Sequence, residues 1–293
     1  MFVKKKLITV LLLIIYSYPL YAQPEVLKLK AELKEFGSDH VMKHASWGFI
    51  LKNASDNSII AEINAQKALI PASTLKVVTT STAMELLGEQ YRFSTLLQSN
   101  GKLSNDTLYG NIIIKGSGDP TLHSYLFSNS KRDNIIDKWS KRLKQNKIQF
   151  IKGYLIADTD AFDDEITPPN WLWTDMGNYY GAGSCGLNFM DNKFSVYFDS
   201  NKEQGSSVVI KKITPDIDEL EIINEVYAGV EGSGDKAFVY GEAFSYRRVI
   251  RGTIPINKIG FEVEGAMPDP ALYCMQLFQK SMSNNNSLSL IHI

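Results

Sequence analysis

A serine and a lysine stand three positions apart in Ile70-Pro71-Ala72-Ser73-Thr74-Leu75-Lys76, at the start of a small, hydroxyl-rich apolar run. On a helix, positions i and i+3 share a face, so the Ser73 hydroxyl and the Lys76 amine point into the same pocket. A serine hydroxyl is a weak nucleophile, and an uncharged amine beside it can take its proton, the Ser-Lys form of triad chemistry. Dry, partly apolar surroundings keep such an amine uncharged. Val77, Val78, Ala83, Leu86 and Leu87 are expected to bury the helix and supply that dryness, and Gly88 fits its C-cap. Spacing alone leaves another reading open, in which Ser73 caps the helix and Lys76 points into water.

Other reactive residue types form weaker patterns. Asp158, Asp160, Asp163, Asp164 and Glu165 lack the glycine and terminal glutamate of a calcium loop, and read as a solvated loop. His40 and His44 are spaced i,i+4 but have no partner acid, and His123 and His292 stand apart. No metal site is expected. Cys185 and Cys274 read as two separate buried thiols, with a single bridge in an oxidising compartment as the alternative. With 31 basic against 32 acidic side chains, the chain carries no electrostatic footprint for nucleic acid or an anionic membrane.

The elements that must position Ser73 and Lys76 can be read around them. Met1 to Ala22 reads as a secretory signal: Lys4, Lys5 and Lys6 precede a short apolar core, and Leu20-Tyr21-Ala22 leads to Gln23. That core falls short of the roughly 20 residues that span a bilayer, so no transmembrane anchor is expected after cleavage. Glu25 to Phe36 has helical periodicity ended by Gly37. Ser46–Leu51 and Ile59–Asn64 read as a hairpin, turning through Asn53 to Ser58. From about Tyr91 to Ile259 short strands predominate, clearest at 112–115, 154–157, 194–198, 207–211, 237–240 and 247–250, with one helix over 134–147. A last amphipathic helix covers 270–280.

Pro71-Ala72-Ser73-Thr74-Leu75-Lys76 and its apolar helix resemble the nucleophile motif of penicillin-binding proteins and serine β-lactamases. Three later segments extend the likeness in the same order: Tyr109-Gly110-Asn111 through Gly116-Ser117-Gly118-Asp119-Pro120, then Trp171 to Gly183, then Glu264-Gly265-Ala266-Met267-Pro268-Asp269-Pro270. Together they resemble the D-alanyl-D-alanine carboxypeptidase/endopeptidase family, the class C low-molecular-mass penicillin-binding proteins. The long insertion is not a feature of β-lactamases.

The resemblance implies an α/β (α+β) fold: an incomplete penicillin-binding/β-lactamase-like serine transpeptidase domain with a large, strand-rich inserted region. It divides the chain into the signal (1–22), the N-terminal part of the transpeptidase-like domain with the nucleophile helix (23–90), the insertion (91–259) and a truncated return to that domain (260–293). It implies an exported enzyme, periplasmic or extracellular, with no cofactor. Its substrates would be peptidoglycan stem peptides ending in D-Ala-D-Ala, and β-lactams would acylate it. Ser73 would be the nucleophile and Lys76 its base.

The chain departs from the family in one respect: no Lys-Thr-Gly or Lys-Ser-Gly occurs, and no Ser-x-Asn follows the nucleophile in a suitable place. Ser283-Asn284-Asn285 lies in a polar run near the end. Ser55-Asp56-Asn57 precedes the nucleophile and reads as hairpin-turn chemistry. The alternative to an enzyme is therefore a non-catalytic truncated remnant or peptidoglycan-binding module.

Overall fold

A computed structural model of the chain describes residues 23–127, 135–284 and 289–290. The signal segment at 1–22 and the end of the polar run that begins at Ser283 fall outside them. The chain divides into two compact units, Met1–Tyr91 and Arg92–Ile293.

In the first unit, helix α1 (Gln23–Ser38) is followed by the hairpin β1 (Phe49–Lys52) and β2 (Ile59–Ile63). The helix runs through Gly37 rather than ending there. Gly37 lets the Trp47 ring pack closely: a Cβ there would lie 2.6 Å from that ring, which also meets Phe36 edge-on with centroids 5.2 Å apart. The hairpin turn is built from side-chain bonds to the backbone, as its composition suggests. Asn53 accepts from the Ser55 N–H, Asp56 accepts from the Ser58 N–H, and Asn57 takes a left-handed φ of 59°. A 3-10 turn (Ala72–Thr74) then leads into helix α2 (Leu75–Leu87), which ends at Gly88 with the Gly88 N–H donating to the Met84 carbonyl.

The second unit holds the hydrophobic core. Strands β3 (Leu96–Ser99), β4 (Lys102–Ser104), β5 (Thr107–Tyr109) and β6 (Ile112–Lys115) come first. Helix α3 (Ile135–Gln145) then crosses to β7 (Phe150–Lys152) and β8 (Leu155–Asp158), which lie parallel to β5 and β6 respectively. Parallel pairing needs such a crossover. The helix buries Ile136, Trp139 and Leu143, spaced i, i+3 and i+7 as a single apolar stripe requires. After the short helix α4 (Trp173–Met176) come β9 (Lys193–Asp199), β10 (Val209–Thr214), β11 (Glu221–Gly229), β12 (Lys236–Tyr240), β13 (Arg247–Pro255) and β14 (Phe261–Ala266).

These six strands form two three-stranded sheets, ordered β10-β9-β14 and β11-β13-β12. Strand β9 alternates as a one-face strand should, with Phe194, Val196 and Phe198 buried. Helix α5 (Pro270–Asn284) packs against α3, where Trp139 and Phe278 meet with ring centroids 5.6 Å apart. A two-residue strand, β15 (Ser289–Leu290), adds parallel to β7. Both β14 and α5 thus belong to the second unit. No helix among the described residues is long and apolar enough to cross a membrane.

Candidate active site

Local backbone structure brings Ser73 and Lys76 together. The Thr74 N–H donates to the Pro71 carbonyl at 3.1 Å, closing the turn that carries Ser73, and the Thr74 hydroxyl bonds the same carbonyl. Ala72, directly before Ser73, has a left-handed φ of 45°, a conformation that costs an L-residue about 1–2 kcal/mol. Helix α2 begins one residue after the turn, and Lys76 Nζ lies 3.0 Å from Ser73 Oγ. The helix N-cap is Thr74, without a side-chain capping bond, so Ser73 does not serve as the cap.

Among the described residues of the first unit, the dry surroundings expected for this pair are not present. No residue of α2 is buried; Val77 is 67% exposed and Leu86 78% exposed. The apolar residues lie on the helix as the sequence places them, but no other described element of the first unit covers them. Two of its threonines bond back to the preceding turn, the Thr80 hydroxyl to the Lys76 carbonyl at 2.7 Å and the Thr79 hydroxyl to the Leu75 carbonyl at 3.3 Å.

The three later segments that resemble the family are tied into the second unit by hydrogen bonds, an ion pair and close backbone contact. In the Gly116-Ser117-Gly118 run, the Gly118 N–H donates to the Gly186 carbonyl at 2.7 Å, and Ser117 Oγ accepts from the Ser94 N–H. Gly116 runs so close to the chain at Gly186 that a Cβ would sit 2.0 Å from the Gly186 carbonyl oxygen. Within Trp171 to Gly183, the buried Asn178 accepts from the Val239 N–H at 2.9 Å and donates to the Thr174 carbonyl at 2.6 Å. In the last segment Glu264 pairs with Lys193 at 2.8 Å, and Asp269 caps α5 by accepting from the Leu272 N–H at 2.8 Å.

Of the other candidates, Asp158 is engaged by Lys115 at 2.6 Å, which holds its carboxyl below the usual carboxylate range. Cys185 and Cys274 are both free and buried; burial pushes the Cys185 thiol up to about 11 and the Cys274 thiol higher still. Sequence reading missed the buried Arg248, whose guanidinium donates to the Ala266 and Ser245 carbonyls and ties β13 to the end of β14. Burial lowers it to about 10. The available signal was only an arginine in an alternating strand at a position that should face inward.

Over residues 29–288 the sequence matches the D-Ala-D-Ala carboxypeptidase 3 (S13) family. The chain belongs to this family. Among its relatives, D-alanyl-D-alanine carboxypeptidase DacB of Haemophilus influenzae is 28% identical over 275 residues, 93% of this chain and 53% of the relative. The D-alanyl-D-alanine carboxypeptidase of Actinomadura sp. (strain R39) is 21% identical over 265 residues, 88% of this chain and 47% of the relative. The chain therefore spans about half the length of these S13 relatives.

The crystal structure of penicillin binding protein 4 (dacB) from H. influenzae superposes with a TM-score of 0.65 at 27% identity, covering 84% of this chain and 51% of that one. The same protein complexed with a novel β-lactam gives 0.59 at 25% identity, covering 85% and 50%. The mixed α+β, many-stranded fold of this S13 chain is thus shared with penicillin binding protein 4.

Proposed function

We propose that this chain carries the nucleophile of a serine-type D-Ala-D-Ala carboxypeptidase/endopeptidase that acts on peptidoglycan stem peptides. The observation that carries the reading is the 3.0 Å contact between Ser73 Oγ and Lys76 Nζ. In this mechanism Ser73 Oγ attacks the carbonyl carbon of the penultimate D-alanine while its proton passes to uncharged Lys76. The tetrahedral intermediate collapses, the peptide C–N bond breaks, and the departing D-alanine amine takes the proton. Water then attacks the Ser73 ester, releasing the shortened peptide and restoring the hydroxyl. A β-lactam would acylate Ser73 by the same attack, its ring amide taking the place of the peptide bond.

Family membership and the match to a β-lactam-complexed penicillin binding protein support this substrate class. Residues 23–90 are proposed as the N-terminal part of the transpeptidase-like domain, and the Met1–Ala22 segment as the signal that sends the protein to the periplasm or beyond. The second reading, a peptidoglycan-binding chain without catalysis, is favoured by the uncovered α2. A site open to water does not strengthen charge stabilisation in the transition state.

Incubation with a labelled penicillin followed by mass spectrometry separates the two. A covalent adduct on Ser73 that is absent in Ser73→Ala and forms far more slowly in Lys76→Ala supports the enzyme. Equal labelling of Ser73→Ala removes the assignment, and no labelling of the folded wild-type chain supports the binding module.

A further inference from the structure

The second unit contains a cavity of about 520 Å³ that involves neither Ser73 nor Lys76. Its size falls within the roughly 300–1,000 Å³ usual for small-molecule sites. Strand β8 forms one wall with Leu155 and Ile156, and the first turns of α5 form another with Ala271, Leu272 and Met275. Phe244 also lines the cavity. This aromatic residue has a left-handed φ of 61° while its N–H donates to the Pro268 carbonyl at 2.9 Å. For a bulky side chain such a φ is a true outlier, a kind of strain found concentrated where ligands are held.

The polar lining is of one sign. Asp163, Asp164 and Asp269 line the cavity, and among the described residues no lysine, arginine or histidine does. The N–H groups at the start of α5 would otherwise favour an anion. Asp269 already occupies them, its carboxylate accepting from Leu272 and its carbonyl from Tyr273. Burial raises the Asp269 carboxyl, as expected for an acid without a cation beside it. Among the described residues no three acidic, cysteine or histidine side chains gather closely enough to hold a metal ion. The complementary ligand is therefore an organic cation with an apolar body.

We propose that this cavity binds an aliphatic chain ending in an ammonium group, the chain lying along Leu155, Ile156, Leu272 and Met275 and the ammonium drawn to the acidic lining that Asp163, Asp164 and Asp269 give the cavity. The site is separate from the proposed acylation chemistry, and its test does not use Ser73.

Titrating n-hexylammonium and hexanoate into the full chain by calorimetry at neutral pH tests the proposal. The cation should bind saturably and the anion about tenfold or more weakly, as opposed charge demands. Replacing all three carboxylates (Asp163→Asn, Asp164→Asn, Asp269→Asn) should erase that preference. Asn at 269 keeps an oxygen for the Leu272 N–H, so the helix cap is retained. Leu272→Trp should fill the cavity and abolish binding. Equal binding of the two probes, or undiminished binding in a folded Leu272→Trp chain, would overturn the proposal.

Discussion

The two units of the chain hold their elements in place by different means. Among the described residues of the first, Ala61 is the only buried apolar side chain. In the second, a continuous core runs from Leu108 to Met282 and includes Phe189, Phe198, Ile250 and Phe278, each without exposed surface. Each large side chain so buried contributes about 1.5–3 kcal/mol relative to exposure. Helix α2 gains nothing comparable, and 13 residues is near the length at which an isolated helix is only marginal in water. The reactive pair therefore sits on local geometry, whereas the strand-rich unit is held by long-range packing.

The broadest way to break that contrast is limited proteolysis of residues 23–293. Cleavage is expected first between Gln23 and Gly88, leaving a resistant fragment that starts near Arg92 and retains α5, whose Cys274, Met275 and Phe278 are fully buried. Mass spectrometry of the early fragments reads the result. Early cleavage between β9 and β14, or a first unit as resistant as the second, would show that packing does not distinguish them.

Paired truncations sharpen the comparison. Phe278→Ala, in the contact between α5 and α3, is expected to cost about 3–5 kcal/mol in denaturant unfolding of the second unit. Leu86→Ala on α2 should stay within about 0.5 kcal/mol, because its side chain is already in solvent. Equal losses would mean that α2 is covered in solution. Gly116→Ala ranks next: its new Cβ meets the backbone at Gly186, and backbone yields less readily than a side-chain tip. About 1–3 kcal/mol is expected.

The same division decides what could be read in the sequence. The Ser73–Lys76 contact was legible because it depends on i,i+3 spacing and one helix start, and Gly88 marked the helix end for an equally local reason. Helix α3 and strand β9 showed their stripes directly. Strand β11 did not, because Glu221, Asn224 and Glu225 interrupt its apolar residues. These polar groups are satisfied by partners far along the chain: Glu225 bonds Arg251, and Asn224 donates to the Val208 carbonyl. Whether α2 would be buried could not be read either. Its apolar residues state what the helix can pack, and only tertiary structure supplies something to pack against it.

The smallest effect expected is electrostatic and belongs to the second unit. Lys115 on β6 and Asp158 on β8 pair across parallel strands at 2.6 Å, and both side chains are partly buried. The lysine hydrogen bond is the main reason that the Asp158 carboxyl lies below its ordinary value near 3.8. Between the folded and unfolded values the unfolded chain holds the extra proton, so stability rises with pH there. The contribution is complete above about pH 4 and disappears as pH falls through the lower folded value. Asp158→Asn should therefore flatten the acid limb of the second unit's unfolding curve, while leaving the shape between pH 5 and 8 unchanged. Because the pair is only partly shielded from solvent, added salt should reduce the difference between wild type and variant. Chemical denaturation at a series of pH values from about 2.5 to 7 checks this. An acid limb identical in both proteins would assign the pH dependence to other carboxylates and leave apolar packing as what distinguishes the second unit from the first.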